Sequence, residues 1–175
     1  MARSIEDSAG TKAKRVSVMK TFSLHHEVWL PQPPEEVFAF FSDVRNLERL
    51  TPPWLRFEVL TPGAGSVRSG MLIDYRLRLH GVPIRWRSEI TVWEPPHRFV
   101  DEQRHGPYRR WVHEHSFEAG KGGTLAVDHV EYAVLGGSLV NRVFVAPDLR
   151  RVFAFRRKTL LEIFGDGRGM QASSA

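Results

Sequence analysis

The chain has 175 residues, 42% of them hydrophobic, with 11 Phe and 5 Trp, which suits one domain with a sizeable core and excludes a disordered chain. Its formal charge of +5, mostly from arginine, is ordinary for a globular protein and by itself assigns no nucleic-acid partner. Cysteine is absent, which excludes disulfides, thiolate metal sites and cysteine nucleophiles and fits a reducing, cytoplasmic setting.

Residues 1–17 (MARSIEDSAGTKAKRVS) are polar and aperiodic and read as a flexible lead-in. They contain no apolar h-region, so no secretory signal is expected. Nor is there a run of about 18 apolar residues, so no membrane span is expected. Residues 166–175 read as a flexible Gly/Ser/Ala-rich tail, which leaves 18–165 as a single folded domain with no repeat and no linker.

Alternation of Phe22, Leu24, Val28 and Leu30 predicts a first strand, and Pro31, Pro33 and Pro34 stop it. Pro34 with Glu35 and Glu36 suits the first turn of a short, very apolar helix carrying Val37, Phe38, Phe40 and Phe41. Ser42 or Asp43 is placed to cap a second short helix running through Leu50, which Thr51-Pro52-Pro53 ends. Strands follow. A short one is expected at 57–60. Another at 71–80 carries Ile73, Tyr75, Leu77 and Leu79 on one face, and the next carries Ile84, Trp86, Ser88, Ile90 and Val92 on one face. Three more are expected at 99–105, 108–117 and 124–134, separated by Gly106-Pro107 and by Gly120-Lys121-Gly122-Gly123.

Residues 138–145 read as a first helical piece, with Pro147 breaking or kinking the chain and Asp148 placed to cap the main helix. From Leu149 onward Val152, Phe153, Leu160, Ile163 and Phe164 form one apolar stripe at helical spacing. Arg156 lies near the middle of that stripe, where a guanidinium must meet an acid, a ring of acceptors or a ligand. The predicted fold class is α+β: a curved antiparallel sheet of about seven strands around a long C-terminal helix, with two short helices after the first strand.

This order of elements resembles the SRPBCC superfamily, the START-like, Bet v 1-like group with a helix-grip fold. The resemblance is carried by Pro33-Pro34-Glu35-Glu36-Val37-Phe38, Asn46-Leu47-Glu48-Arg49-Leu50-Thr51-Pro52-Pro53-Trp54, Gly81-Val82-Pro83-Ile84-Arg85-Trp86, Phe99-Val100-Asp101-Glu102-Gln103, Gly106-Pro107-Tyr108 with Trp111, His113, His115 and Phe117, and Arg151 to Arg156. The bacterial ligand-binding or polyketide cyclase/dehydrase-like branch is the nearest match. It implies a small hydrophobic ligand of lipid, polyketide or aromatic type, held between sheet and helix.

Trp111, His113, His115 and Phe117 share one strand face, so two imidazoles point inward with two aromatic rings. Three roles fit them: contact with a ligand oxygen, a shared metal ion, or mutual pairing in a polar patch. A metal needs a third ligand, and spacing does not select among Asp101, Asp128 and Glu131. No metal and no cofactor is therefore assigned. Asp101 and Gln103 alternate with Phe99, which predicts a polar cluster of Arg156, Asp101, Gln103, His113 and His115 beneath the helix. Tyr75, Trp86 and Tyr132, with Trp111, are expected to line the cavity.

Gly-x-Ser-x-Gly is missing and no Ser/His/Asp constellation can be read from spacing, so no nucleophile is assigned, and His113, His115 and Asp101 are the acid–base candidates should the protein be a cyclase, dehydratase or isomerase. Arg150, Arg151, Arg157 and Lys158 form a basic outer helix face, read as solvated surface, with an interaction protein as the third alternative. Phe155 and Leu161 also lie off the stripe, placed to pack on the short helices or to make a homodimer contact.

Overall fold

The computed structural model describes residues 19–62 and 65–165; the lead-in expected at 1–17 and the tail expected at 166–175 lie outside them. Strand β1 (Phe22–Leu30) leads to α1 (Pro34–Phe41), α2 (Asn46–Leu50) and a 3-10 turn at Pro53–Leu55. Six strands follow: β2 (Glu58–Val59), β3 (Leu72–Leu79), β4 (Val82–Glu94), β5 (Arg98–His105), β6 (Arg110–Gly120) and β7 (Gly123–Ala133). The chain then forms α3 (Gly137–Val140), a π-turn at Asn141–Val145 and the long α4 (Ala146–Gly165). The seven strands make one curved antiparallel sheet in the order β1-β7-β6-β5-β4-β3-β2. Five of its six adjacencies join strands consecutive in sequence, and the sixth brings β1 back beside β7.

Local chemistry accounts for the joints. Pro34 sits in the first turn of α1, where its missing N–H costs nothing, and Glu35 and Glu36 complement the exposed amides there. The second helix begins later than capping by Ser42 or Asp43 would require. Asp43 instead accepts from the Arg45 amide at 3.0 Å and from its guanidinium, while Ser42 Oγ donates to Ala39 O at 3.2 Å. Pro147 has no N–H to give to the preceding turn. The widened π-turn before it absorbs that loss, so the helix continues from Gly137 to Gly165 instead of breaking. Two register shifts in β4, between Arg87 and Ser88 and between Ile90 and Val92, mark bulges of the kind that bend a sheet.

The concave face is covered by α4, which buries Leu149, Phe153, Arg156, Leu160 and Phe164 at spacings of three and four. An apolar cluster at its C-terminal end combines Leu160 and Phe164 with Phe38, Phe40, Phe41 and Phe117. A smaller one near its N-terminal end holds Leu149, Phe153, Val130 and Tyr132. Phe155 packs edge-on against Trp54, with ring centroids 5.8 Å apart, and Leu161 packs on the larger cluster. No helix among the described residues is long and apolar enough to cross a membrane.

Fully buried Thr124 ties β7 to the β1–α1 joint by donating to Gln32 O at 2.6 Å, while Gln32 Nε2 donates to Phe164 O at the end of α4. Thr124→Val keeps the shape and strands that carbonyl. It is expected to cost about 1–2 kcal/mol in urea unfolding; an unchanged midpoint would mean the hydroxyl does not contribute.

Candidate functional site

Between the two apolar clusters lies a polar one, built on three neighbouring strands. Sheet register sets Asp101 of β5 opposite His113 of β6, and His115 of β6 opposite Asp128 of β7. The four side chains share the concave face, because alternate residues of a strand point the same way. The imidazole centroids lie 3.9 Å apart, with the rings tilted by 41°. His113 Nε2 and His115 Nδ1 approach Asp128 Oδ1 at 3.1 and 2.7 Å. On the opposite side His113 Nδ1 and His115 Nε2 approach Asp101 Oδ2 at 3.5 and 3.3 Å. Each ring nitrogen therefore faces a carboxylate oxygen.

Arg156 comes down from α4 onto Asp128, with Nε 3.0 Å from Oδ2 and Nη2 3.4 Å from Oδ1. The Nε contact lies off the N–H axis, so it is an ion pair rather than a directed hydrogen bond. The guanidinium also lies over the Phe41 ring, 4.9 Å from its centroid. Burial alone would raise the Asp128 carboxyl, but Arg156 and the two imidazoles hold it well below the usual carboxylate range. Asp101 behaves likewise: burial opposes its ionisation, and the imidazoles and Ser88 more than offset that. The two histidines diverge. Burial, then the charge of His115, pushes His113 down, whereas in His115 the two carboxylates outweigh burial and raise it.

A second set of groups supports Asp101. Ser88 Oγ donates to Asp101 Oδ1 at 3.1 Å, and it accepts from Trp86 Nε1 at 3.1 Å and lies 3.0 Å from the Tyr75 hydroxyl. One hydroxyl proton thus goes to the carboxylate, and the serine lone pairs meet the indole and phenol. Tyr75 and Trp86 are stacked, with centroids 5.7 Å apart, and Trp111 meets Trp86 edge-on at 5.3 Å.

These aromatic rings wall a cavity of about 490 Å³ between the sheet and α4. Half-buried Asp101 and buried His113, His115 and Arg156 form its base, while exposed Trp54, His80 and Phe144 stand at its rim. A smaller space of about 50 Å³, lined in part by Phe41, Ile90 and Phe99, touches the other flank of Asp101, His115 and Arg156.

Seven of the nine predicted site residues meet at this cavity: Arg156, His113, His115, Asp101, Trp111, Tyr75 and Trp86. Two do not. Gln103 folds under the β5–β6 turn, donating to Tyr108 O at 2.7 Å and accepting from Tyr108 N at 3.2 Å. Gly106 leaves room for this, since a Cβ there would run into the Gln103 amide. Tyr132 donates to Asn141 at 2.9 Å and belongs to the smaller apolar cluster, outside the cavity lining. The sequence reading named neither Asp128 as the partner of Arg156 nor Ser88 as the support of Asp101. Both had a signal available: each is a polar residue in phase with the apolar face of its strand.

A seven-stranded sheet gripping one long helix, with a cavity between them and charged groups at its base, defines the helix-grip class. The family model described as polyketide cyclase/dehydrase and lipid transport matches residues 30–156, and the chain belongs to that SRPBCC-type family. Among proteins of curated function, none matches the sequence. The Zhui aromatase/cyclase from Streptomyces sp. R1128 superposes with a TM-score of 0.66 at 15% identity, covering 89% of this chain and 99% of that one. The major latex-like protein 151 of Panax ginseng gives 0.62 at 10% identity, covering 82% and 97%. A norcoclaurine synthase point mutant from Thalictrum flavum, solved with a transition-state analogue, gives 0.59 at 16% identity, covering 82% and 96%. At these identities the likeness shows the fold alone.

Proposed function

We propose that the protein binds a small, mainly hydrophobic molecule of lipid, polyketide or aromatic type in the cavity beneath α4, with a polar oxygen of that molecule turned toward Asp101, His113 and His115. One observation carries this: a cavity of about 490 Å³ with aromatic walls ends on buried charged side chains rather than on more apolar packing. A volume of this size falls within the range of small-molecule sites. It counts against a filled-core interaction protein that works only through the outer face of α4. Family membership supports the same ligand class.

Binding is favoured over acid–base catalysis by the contacts of the two histidines. A general base needs a lone pair aimed at the substrate. Here both nitrogens of each ring face Asp101 or Asp128, so no imidazole lone pair is aimed at a molecule in the cavity. Arg156 is already paired with Asp128, so its role is to fix the cluster more than to grip the ligand.

Native mass spectrometry of protein purified from its own host tests the proposal directly; a co-purifying small molecule is expected, at one per chain. Trp54, Trp86 and Trp111 line the cavity, so titration with an apolar aromatic probe such as 1-naphthol is expected to quench tryptophan emission with saturation. Linear, non-saturating quenching together with repeated recovery of bare protein would count against a ligand site.

A further inference from the structure

The base of the cavity holds an arrangement that hydrogen bonding alone leaves incomplete. A neutral imidazole carries one N–H and one lone pair. His113 Nε2 donates to Asp128 Oδ1 at 3.1 Å, which leaves the Nδ1 lone pair of that ring facing Asp101 Oδ2 at 3.5 Å. His115 Nε2 meets the same oxygen at 3.3 Å, and its Nδ1 lies 2.7 Å from Asp128 Oδ1 and 3.4 Å from Arg156 Nη2. One potential ligand atom from each of the three side chains lies within 4.8 Å of the others at the cavity floor. Such a group needs a cation among its members. A proton serves only one of the two nitrogens. Two protons would set two imidazolium rings 3.9 Å apart beside Arg156.

We propose that Asp101 Oδ2, His113 Nδ1 and His115 Nε2 form a binding site for a divalent first-row transition cation, with its open coordination positions facing the cavity. Donor type fits: two imidazoles and a carboxylate, with no sulfur, suit zinc, cobalt, nickel or ferrous ions. Spacing fits as well. Donors about 2.0–2.2 Å from one ion stand about 3.0–3.5 Å from each other, and the carboxylate–imidazole separations here are 3.3 and 3.5 Å. The surroundings match what a metal site requires beyond its ligands. Asp128 Oδ1 lies against the far nitrogen of both imidazoles, accepting from His113 Nε2 and standing 2.7 Å from His115 Nδ1, the place an outer carboxylate takes behind metal-bound histidines. Ser88 occupies Asp101 Oδ1 and leaves Oδ2 free to ligate. Arg156 sits on Asp128 and reaches His115 only at Nδ1, 3.4 Å away, leaving the three donor atoms themselves untouched.

With Asp101, Asp128 and Arg156 charged, a divalent ion leaves the cluster with a net positive charge. The open positions therefore favour an anionic oxygen, such as a carboxylate, phenolate or enolate. This last step rests on the ligand-binding proposal above; the metal site itself does not.

The test uses Co²⁺ alone, with tag-free, chelator-treated chain. One Co²⁺ per folded chain is expected, with visible d–d bands that Zn²⁺ abolishes by displacement. Asp101→Asn and His115→Gln are each expected to weaken Co²⁺ binding at least tenfold, and Asp128→Asn by about 10–100-fold with the stoichiometry kept. His129→Ala is expected to change nothing, although His25 and His129 stand 6.2 Å apart on the outer face as the nearest alternative. Should a ligand variant fail to fold, the wild type still decides. Its Co²⁺ form is expected to show two strongly shifted, slowly exchanging N–H proton resonances, one from each buried ring. Folded wild type that takes up no stoichiometric Co²⁺, or uptake lost in His129→Ala and kept in Asp101→Asn, overturns the site. Loss of probe quenching with intact Co²⁺ uptake would sink the ligand proposal and leave the metal site standing.

Discussion

Arg156→Met is expected to lower stability by about 3–5 kcal/mol, the typical cost of removing one member of a buried ion pair. The methionine fills much of the same space among Phe41, Phe153 and Leu160, so lost packing is a minor part of the effect. Electrostatics is the larger part. Asp128 has a side-chain exposure of 4%, so water cannot take over when the guanidinium goes. The carboxylate would then face two imidazoles inside the protein, one of which burial keeps from charging. Urea unfolding monitored by tryptophan fluorescence measures the loss. A cycle identifies its cause: Arg156→Met with Asp128→Asn is expected to cost less than the two single changes added together, with a coupling of about 1–3 kcal/mol. Strict additivity, or a single variant within about 0.5 kcal/mol of wild type, would show that the pair does not hold the cluster together.

Arg156 was legible in the sequence because it breaks a pattern: a charge sits where helical periodicity demands an apolar residue. Asp128 breaks the β7 pattern in the same way, in phase with buried Ala126, Val130 and Tyr132. A strand gives that signal more weakly, since a period of two over eleven residues is met by many arrangements. The inward pairing of His113 and His115 followed from parity alone, and so did the position of Asp101. Two features were out of reach of parity. Gln103 has the same phase as Asp101, yet it lies at the strand end, where the turn at Gly106 lets its amide fold back onto Tyr108. Tyr132 has the inward phase too, but the widened helical turn presents Asn141 to its hydroxyl and draws it into the smaller core. The π-turn arises because Pro147 must be accommodated without ending the helix, a choice that depends on α4 already being packed on the sheet. The metal question shows the same boundary. Spacing left Asp101, Asp128 and Glu131 equivalent as third ligands. Register separates them, putting Asp101 against one side of both imidazoles, Asp128 against the other and Glu131 on the outer face with Arg110.

Val152→Trp is expected to weaken binding of the cavity ligand by at least tenfold while the protein stays folded. Val152 lies one turn before Arg156 on α4, half-buried, with its side chain on the cavity lining. An indole there extends into open space rather than into packed core, so overpacking is small, and tryptophan and valine have about the same helix propensity. What it removes is room. Displacing a ligand by the area of one aromatic ring forfeits about 60 Å² of apolar burial, which at roughly 25 cal/mol per Å² is about 1.5 kcal/mol. That is a factor of about ten in affinity. Ala154→Trp is the matching control, because Ala154 is exposed on the opposite side of the helix. It is expected to leave probe affinity unchanged. Isothermal titration with 1-naphthol, read beside Co²⁺ uptake in the same variants, separates the two parts of the site. The indole should block the apolar chamber and leave the metal-binding donors on the sheet as they are, since Asp101, His113 and His115 are placed by strand register and Val152 by the helix. Unchanged naphthol affinity in Val152→Trp would mean that the molecule binds elsewhere and that the cavity beneath α4 is not the ligand site.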